Sequence, residues 1–316
     1  KQAWSGGGRA RWAILGGSLL LGTGPFAALV YDERDERGEP LDTSTRARLA
    51  PFGESRMSGG ATIVELKDSA EQMVLPEDAR GEVWPGKAIK GGIPVCWPWF
   101  GPHASEAGFP AHGYARTVLW EVLSTEVLSP LQTRLVMRLV ETDVTRAWWP
   151  HDTPVECHIT VGEALELELV TRNAGSEPVT IGEALHTYFQ VGDVERVQVL
   201  GLEDGEYLDK VDGFRRKTQS GPVVISGEVD RVYVNSRSAC VISDPVLQRR
   251  IVIDKRGSDA TVVWNPWMEK AAKMGDLGDA GYRHMLCVES GNAADNLVAI
   301  APGEQHRLWV SYRVER

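Results

Sequence analysis

The chain has 316 residues, 42% hydrophobic and 25% charged, which is enough apolar material for one large all-β domain or two ordinary ones. It is too apolar for a disordered or low-complexity chain. Its 44 Asp and Glu outnumber 34 Lys and Arg, giving a formal net charge of -10, and no basic block is interleaved with aromatics. That excludes nucleic acid as a general partner, although a few local cations can still hold a small anion.

In chain order, the first notable element runs from Trp12 to Tyr31, WAILGGSLLLGTGPFAALVY, an uncharged stretch preceded by Arg9 and Arg11 and followed by DERDERGEP. Its length suffices to cross a bilayer, and its flanks suit a single membrane anchor whose N-terminal side is cytoplasmic or the organellar equivalent. A targeting segment and a buried element of the globular domain are the two other readings. Gly16, Gly17, Gly22, Gly24 and Pro25 weaken any straight helix there. If 12–31 is an anchor, the protein is membrane-associated, within a larger complex or by itself; otherwise it is expected to be soluble, cytoplasmic or organellar. Residues 1–44 are accordingly expected to form an N-terminal extension and 45–316 a single domain.

From about residue 60 the pattern is constant. Short alternating or β-branched segments recur, among them ATIVEL, VLWEVL, TRLVMRLV, ECHITVG, ALELELVTRN, SACVISD, ATVVWN, HMLCVES and HRLWVSYRVE. Turn signals such as RNAGSEP, LEDGE, KRGSD and APGE separate them, and no long helix-period stretch intervenes. The pattern predicts an all-β fold, an antiparallel β-sandwich or barrel. Cys96, Cys157, Cys240 and Cys287 are widely spaced among apolar residues with no C-x-x-C pair, so their spacing supports buried, reduced thiols rather than disulfides or a zinc site.

Four places carry polar residues that a β framework does not need. In KGGIPVCWPWFGPHASEAGFPAHGYAR, residues 90–116, Gly and Pro break any ladder, so the segment is expected to be a long loop bearing Lys90, His112 and Arg116. Trp97, Trp99 and Phe100 offer aromatic faces for a ligand, with core packing as the alternative. His186 in EALHTYF has an intrinsic pKa near ~6.5, suited to proton transfer at neutral pH, and a satisfied core histidine is the competing reading. Glu289 ends the apolar run MLCV in HMLCVESGN, where a carboxylate facing a cavity has raised proton affinity and suits a general base. Asp230 in GEVDRVY is either a ligand acceptor or half of a strand-edge ion pair with Arg231. Sequence spacing does not show whether these residues meet.

IKGGIPVCWPWFG, PAHGYAR, EALHTYF, GEVDRVY, TVVWNPWMEKAAKMGDL and CVESGNA, in this order, closely resemble the D-hexose-6-phosphate mutarotases, or glucose-6-phosphate 1-epimerases, of the galactose-mutarotase-like group. The resemblance runs from about Gly60 to the C-terminus. It implies a large two-sheet antiparallel β-sandwich with an open carbohydrate cleft, no metal and no organic cofactor, and the exchange of α and β anomers of a hexose 6-phosphate. It further implies Glu289 as base, His186 as acid, His112 and Asp230 as sugar contacts, and Arg116 and Lys90 as phosphate contacts, with Trp97 beside them and Asn265 or Lys270 as further residues facing the cleft. Lys90 stands where the family motif usually has arginine; lysine keeps the charge and loses the planar two-point grip on phosphate. Two alternatives share the fold: a membrane-tethered, non-catalytic subunit of a larger assembly, and a carbohydrate-binding module, neither of which requires the acid–base pair.

Overall fold

The computed structural model describes residues 19–21, 27–30, 63–67, 91–129, 131–274, 277 and 280–316. The first three strands, β1 (Leu19–Leu21), β2 (Ala27–Val30) and β3 (Ile63–Lys67), pair antiparallel in a small sheet. Both β1 and β2 fall inside the 12–31 segment, so the membrane-helix expectation is corrected for these two pieces, which are strand. The glycines and the proline of the segment disfavour helix, and among the described residues no helix is long and apolar enough to cross a membrane. The remainder of 12–31 lies outside the described residues.

The larger part of the chain forms β4 (Val95–Cys96), β5 (Trp120–Ser129), β6 (Gln132–Leu139), β7 (Val155–Val161), β8 (Leu165–Arg172), β9 (Val179–Ile181), β10 (Glu183–Leu185), β11 (Tyr188–Gln190) and β12 (Gln198–Leu200). It continues through β13 (Glu206–Asp209), β14 (Arg215–Thr218), β15 (Val223–Val224), β16 (Val229–Tyr233), β17 (Cys240–Asp244) and β18 (Arg249–Arg256). The last strands are β19 (Ala260–Asn265), β20 (Met285–Asn292), β21 (Val298–Ile300) and β22 (Gln305–Glu315). One antiparallel sheet has the order β14-β13-β16-β19-β20-β10-β4, with β11 also on β20. The second has the order β15-β12-β17-β18-β22-β8-β7-β6-β5. This is the all-β, two-sheet sandwich that the strand pattern and the resemblance predict.

The side-chain period of two accounts for the layering. In β8, Leu165, Leu167 and Leu169 are buried while Glu166 and Glu168 are only partly so. They join Leu135 and Ile159 in one continuous core with Leu286, Val288, Val263 and Tyr233 of the other sheet. Each such aliphatic side chain contributes roughly 1.5–3 kcal/mol when fully buried. In β20, by contrast, every residue is buried, because one face lies on the core and the other on a cleft floor.

Two buried polar bonds cross between the sheets close to that cleft. The hydroxyls of Thr187 and Tyr312 share a hydrogen bond of 2.6 Å, and Trp97 Nε1 donates to Thr171 Oγ1 at 3.0 Å. Tyr312→Phe is therefore expected to lower stability by about 1 kcal/mol, read from the urea midpoint at unchanged slope. An unchanged midpoint would show that the Thr187 anchor adds nothing to the net stability.

Candidate active site

One interruption in the sheet creates the site. β10 and β11 both pair with β20, Leu185 facing Ser290 and Tyr188 facing Cys287. The register is the same on both sides of the break, which sets His186 across from Glu289. On the side away from β20, the His186 backbone N–H donates to Pro94 O at 3.0 Å and Tyr188 N–H to Gly92 O, continuing the register in which Leu185 faces Val95 of β4. The Gly/Pro-rich segment thus lies along the interruption as an edge. Gly291 makes the close approach possible: a Cβ there would stand 2.2 Å from Glu183 O.

Cross-strand partners share a face, so the floor can be read as two rows. In one, His186, Glu289 and Val262 follow each other across β20 and β19, with Val232 beyond on β16. In the next, Tyr188, Cys287, Trp264 and Asp230 do the same. Lys210, just past β13, extends that row: its N–H donates to Asp230 O, and its Nζ lies 2.9 Å from Asp230 Oδ1.

The loop between β4 and β5 supplies the opposite wall. Tyr114 and Ala115 N–H groups both donate to Trp97 O. Gly113, at φ +70°, sits so close that a Cβ would lie 1.9 Å from that oxygen, so no other residue fits. His112 beside it adopts φ +64°, an uncommon conformation for a residue with a side chain. It is held there by its N–H bond to Gly101 O at 2.7 Å and by the Phe100 ring edge-on at 4.7 Å. Arg116 is fixed by Nη2 donating to Ala111 O at 2.9 Å, while its Nε is buried without a partner.

These walls enclose a cleft of about 320 Å³, lined by His112, Arg116, His186, Lys210, Asp230 and Glu289, with Phe100, Tyr188, Val262, Trp264, Lys270 and Met274 completing it. That size lies at the lower end of small-molecule sites. His186 Nε2 is 3.4 Å from Glu289 Oε1; its ring stacks on Tyr188 at 4.9 Å and meets His112 edgewise at 5.7 Å. Glu289 Oε2 and His186 Nδ1 are buried and have no hydrogen-bond partner. Cys287, on the same floor, brings its sulfur within 4.8 Å of a ligating atom of each.

Burial sets the electrostatics. Glu289 is 1% exposed, and loss of water, with the nearby Asp230 charge, pushes its carboxyl well above the usual range. Burial, helped by His112 and Arg116, holds the His186 imidazole well below its usual value. His112 is lowered to about 3, first by burial and then by Arg116 and Lys210. Burial thus shifts both histidines and the Glu289 carboxyl toward their neutral forms.

Of the residues expected from sequence, His112, Arg116, His186, Asp230 and Glu289 line this one cleft. Trp97 does not, which corrects the expectation of a sugar contact. It is 1% exposed and packs in the core against Tyr114 and Trp149, because its indole N–H reaches across to Thr171. Phe100 occupies the aromatic position at the cleft instead. Lys90 lies outside the described residues. Asn265 points away from the cleft, bonding Tyr282 O and Met285 O, whereas Lys270 lines it. Lys210 was not anticipated; its only sequence signal is the alternation in EYLDK, which fixes a face and not a partner.

His112 and His186 are expected to stay neutral down to pH values far below 6.5, whereas the unfolded chain protonates them near ~6.5. The unfolded state then binds more protons, so their contribution to stability falls as pH drops below that value. Ring-nitrogen NMR of the folded protein checks this, and a midpoint near 6.5 for either ring would contradict it.

The fold and the cleft can be set beside known proteins. The aldose 1-epimerase family model matches residues 55–313. An Escherichia coli (strain K12) protein named "Putative glucose-6-phosphate 1-epimerase" is 37% identical over 237 residues, covering 75% of this chain and 78% of that one. A Cenchrus ciliaris protein of the same name is 34% identical over 259 residues, 78% of this chain and 77% of that one. Among solved structures, a "putative mutarotase" from Salmonella typhimurium superposes with a TM-score of 0.76 at 28% identity, covering 92% of this chain and 91% of that one. With the two-sheet sandwich and the family match over most of its length, this chain belongs to the aldose 1-epimerase family.

Proposed function

We propose that the protein interconverts the α and β anomers of a hexose 6-phosphate, with Glu289 and His186 as the proton-transfer pair. The observation that carries this reading is the 3.4 Å contact between His186 Nε2 and Glu289 Oε1 on the floor of the cleft. Anomer exchange moves one proton off the C1 hydroxyl and one onto the ring oxygen, then reverses both. Such a cycle needs one exchangeable proton held between the pair.

The cycle closes without any other donor. With the proton on His186, the Glu289 carboxylate takes the C1 hydroxyl proton while the imidazolium gives its own to the ring oxygen; the C1–ring oxygen bond breaks and C1 becomes an aldehyde. The pair is now neutral imidazole and neutral acid, the state that burial favours. Rotation about the C1–C2 bond turns the other face of the aldehyde to the ring oxygen, and the reverse transfers close the ring as the second anomer. His112, already held neutral, is placed to accept or donate a hydrogen bond to a sugar hydroxyl, and Asp230 to accept one. Tyr188 and Trp264 present apolar ring surface to the sugar carbons.

The phosphate needs cations, and the chain's overall charge of -10 does not provide them. Arg116, Lys210 and Lys270 gather at the cleft, Lys210 paired with Asp230 and Lys270 with Glu228 at 2.6 Å. Among the described residues, Arg116 is the one of the three with no carboxylate as a hydrogen-bond partner, and its guanidinium suits two-point phosphate binding. Lys90 joins it by resemblance. A binding module or a non-catalytic tethered subunit would keep the cleft but would not require a carboxyl buried against an imidazole.

Purified protein is expected to accelerate α/β exchange of glucose 6-phosphate in saturation-transfer NMR, and Glu289→Gln to slow it by about 10²–10⁴-fold. Equal rates for the two would remove Glu289 as the base. Arg116→Ala is expected to raise KM for the phosphorylated sugar by roughly tenfold or more, from loss of a charge-assisted bond, with little change for free glucose. The same change with both sugars would take Arg116 out of the phosphate role.

A further inference from the structure

Beside the acid–base pair sits a third reactive group that the proton cycle does not use. Cys287 lies two residues before Glu289 on β20 and therefore on the same face, fully buried in a small cluster with Tyr188 and Trp264. Its spacing in the sequence gives no hint of a metal site, because its neighbours are brought in by strand pairing. In space, one ligand atom each from His186, Cys287 and Glu289 lies within 4.8 Å of the other two. Glu289 Oε2 and His186 Nδ1 are moreover buried with no hydrogen-bond partner, a costly arrangement that a ligand would relieve.

We propose that His186, Cys287 and Glu289 form an inhibitory binding site for a thiophilic divalent cation of the Zn2+ class. An imidazole nitrogen, a thiolate sulfur and a carboxylate oxygen are the donors Zn2+ takes, at bond lengths of about 2.0–2.3 Å. Around a tetrahedral ion such bonds hold the donor atoms roughly 3.3–3.6 Å apart, so the three side chains need to close by on the order of 1 Å. The fourth position faces the cleft. Mg2+ and Ca2+ call for oxygen donors and do not fit this set. On binding, the sulfur–metal and carboxylate–metal bonds form, and the thiol proton and the Glu289 carboxyl proton both leave to solvent. The ion then occupies both the base carboxylate and the acid imidazole, so sugar and metal exclude each other.

The inhibition rests on the epimerase reading; the metal binding does not. Titration of the full chain with Co2+, a spectroscopic substitute for Zn2+, is expected to show one equivalent bound with a thiolate-to-cobalt charge-transfer band that excess Zn2+ removes. Zn2+ is expected to slow anomer exchange, a chelator to restore it, and hexose 6-phosphate to raise the Zn2+ concentration required. Cys287→Ser leaves acid and base in place; it should lose the band and weaken Zn2+ inhibition by about tenfold or more, since removing even a group that only supports a ligand costs that much. Its uninhibited rate should match that of the unaltered protein. No cobalt–sulfur band in the unaltered protein, or undiminished Zn2+ sensitivity in Cys287→Ser, overturns the proposal, and the first of these needs no variant to fold. Sulfur-bound cobalt in a protein that epimerises no hexose phosphate would leave the metal site standing and remove the epimerase reading; epimerisation indifferent to Zn2+, with no band, would do the converse.

Discussion

A carboxyl group 1% exposed, set 3.4 Å from an imidazole in a gap between two strands, is the constraint around which the rest of this protein is arranged. Burying either group alone costs several kcal/mol when ionised, and the cost falls when the two share a proton. The sheet makes that sharing possible by geometry. Because the register of β10 and β11 on β20 is continuous through the break, His186 cannot face any residue but Glu289. At the break Thr187 N–H turns back to Leu185 O, while on the other side the Gly92–Pro94 segment accepts from His186 and Tyr188 N–H.

That arrangement is held from behind as much as from the sides. Thr187, next to His186, is tied to Tyr312 of the second sheet, and Trp97, at the root of the His112 loop, is tied to Thr171. Both bonds lie in the layer between the sheets, where a hydrogen bond is stronger and a missing partner costlier than at the surface. The loop itself carries strain at His112, whose φ of +64° is held by its N–H bond to Gly101 O and by the Phe100 ring. A loop so rich in glycine and proline reads as flexible in sequence; its hydrogen bonds make it a fixed wall.

The strands were legible because nearly every one has one face in the core, and alternation survives in segments such as LELELV and RRIVID. The residue types of the site were legible for a different reason: His186, Glu289 and Asp230 are polar groups on otherwise apolar strands, which a packed core does not need. Their convergence was not legible, since it depends on pairings between β10, β16, β19 and β20 that lie up to about a hundred residues apart. Lys210 was hidden for that reason, being an ordinary strand-end lysine until Asp230 is placed beside it. Trp97 was misplaced because, within WPWF, which rings face sugar and which face core is decided by the turn of the loop. The apolar run at 12–31 shows a further limit: hydropathy measures how apolar a segment is, and the short pieces β1 and β2 show that the same composition can serve strands.

The complete burial of β20 has a consequence for how faithfully the chain must fold. Val288 points into the core and Glu289 onto the cleft floor, one residue apart. A slip of one position in the pairing would exchange them, driving a carboxyl into the hydrocarbon layer and a valine onto the cleft floor. The register that builds the cleft is thus the same one that keeps charge out of the core, and a molecule assembled one residue out of step would be unstable before it could accumulate as an inactive but durable form.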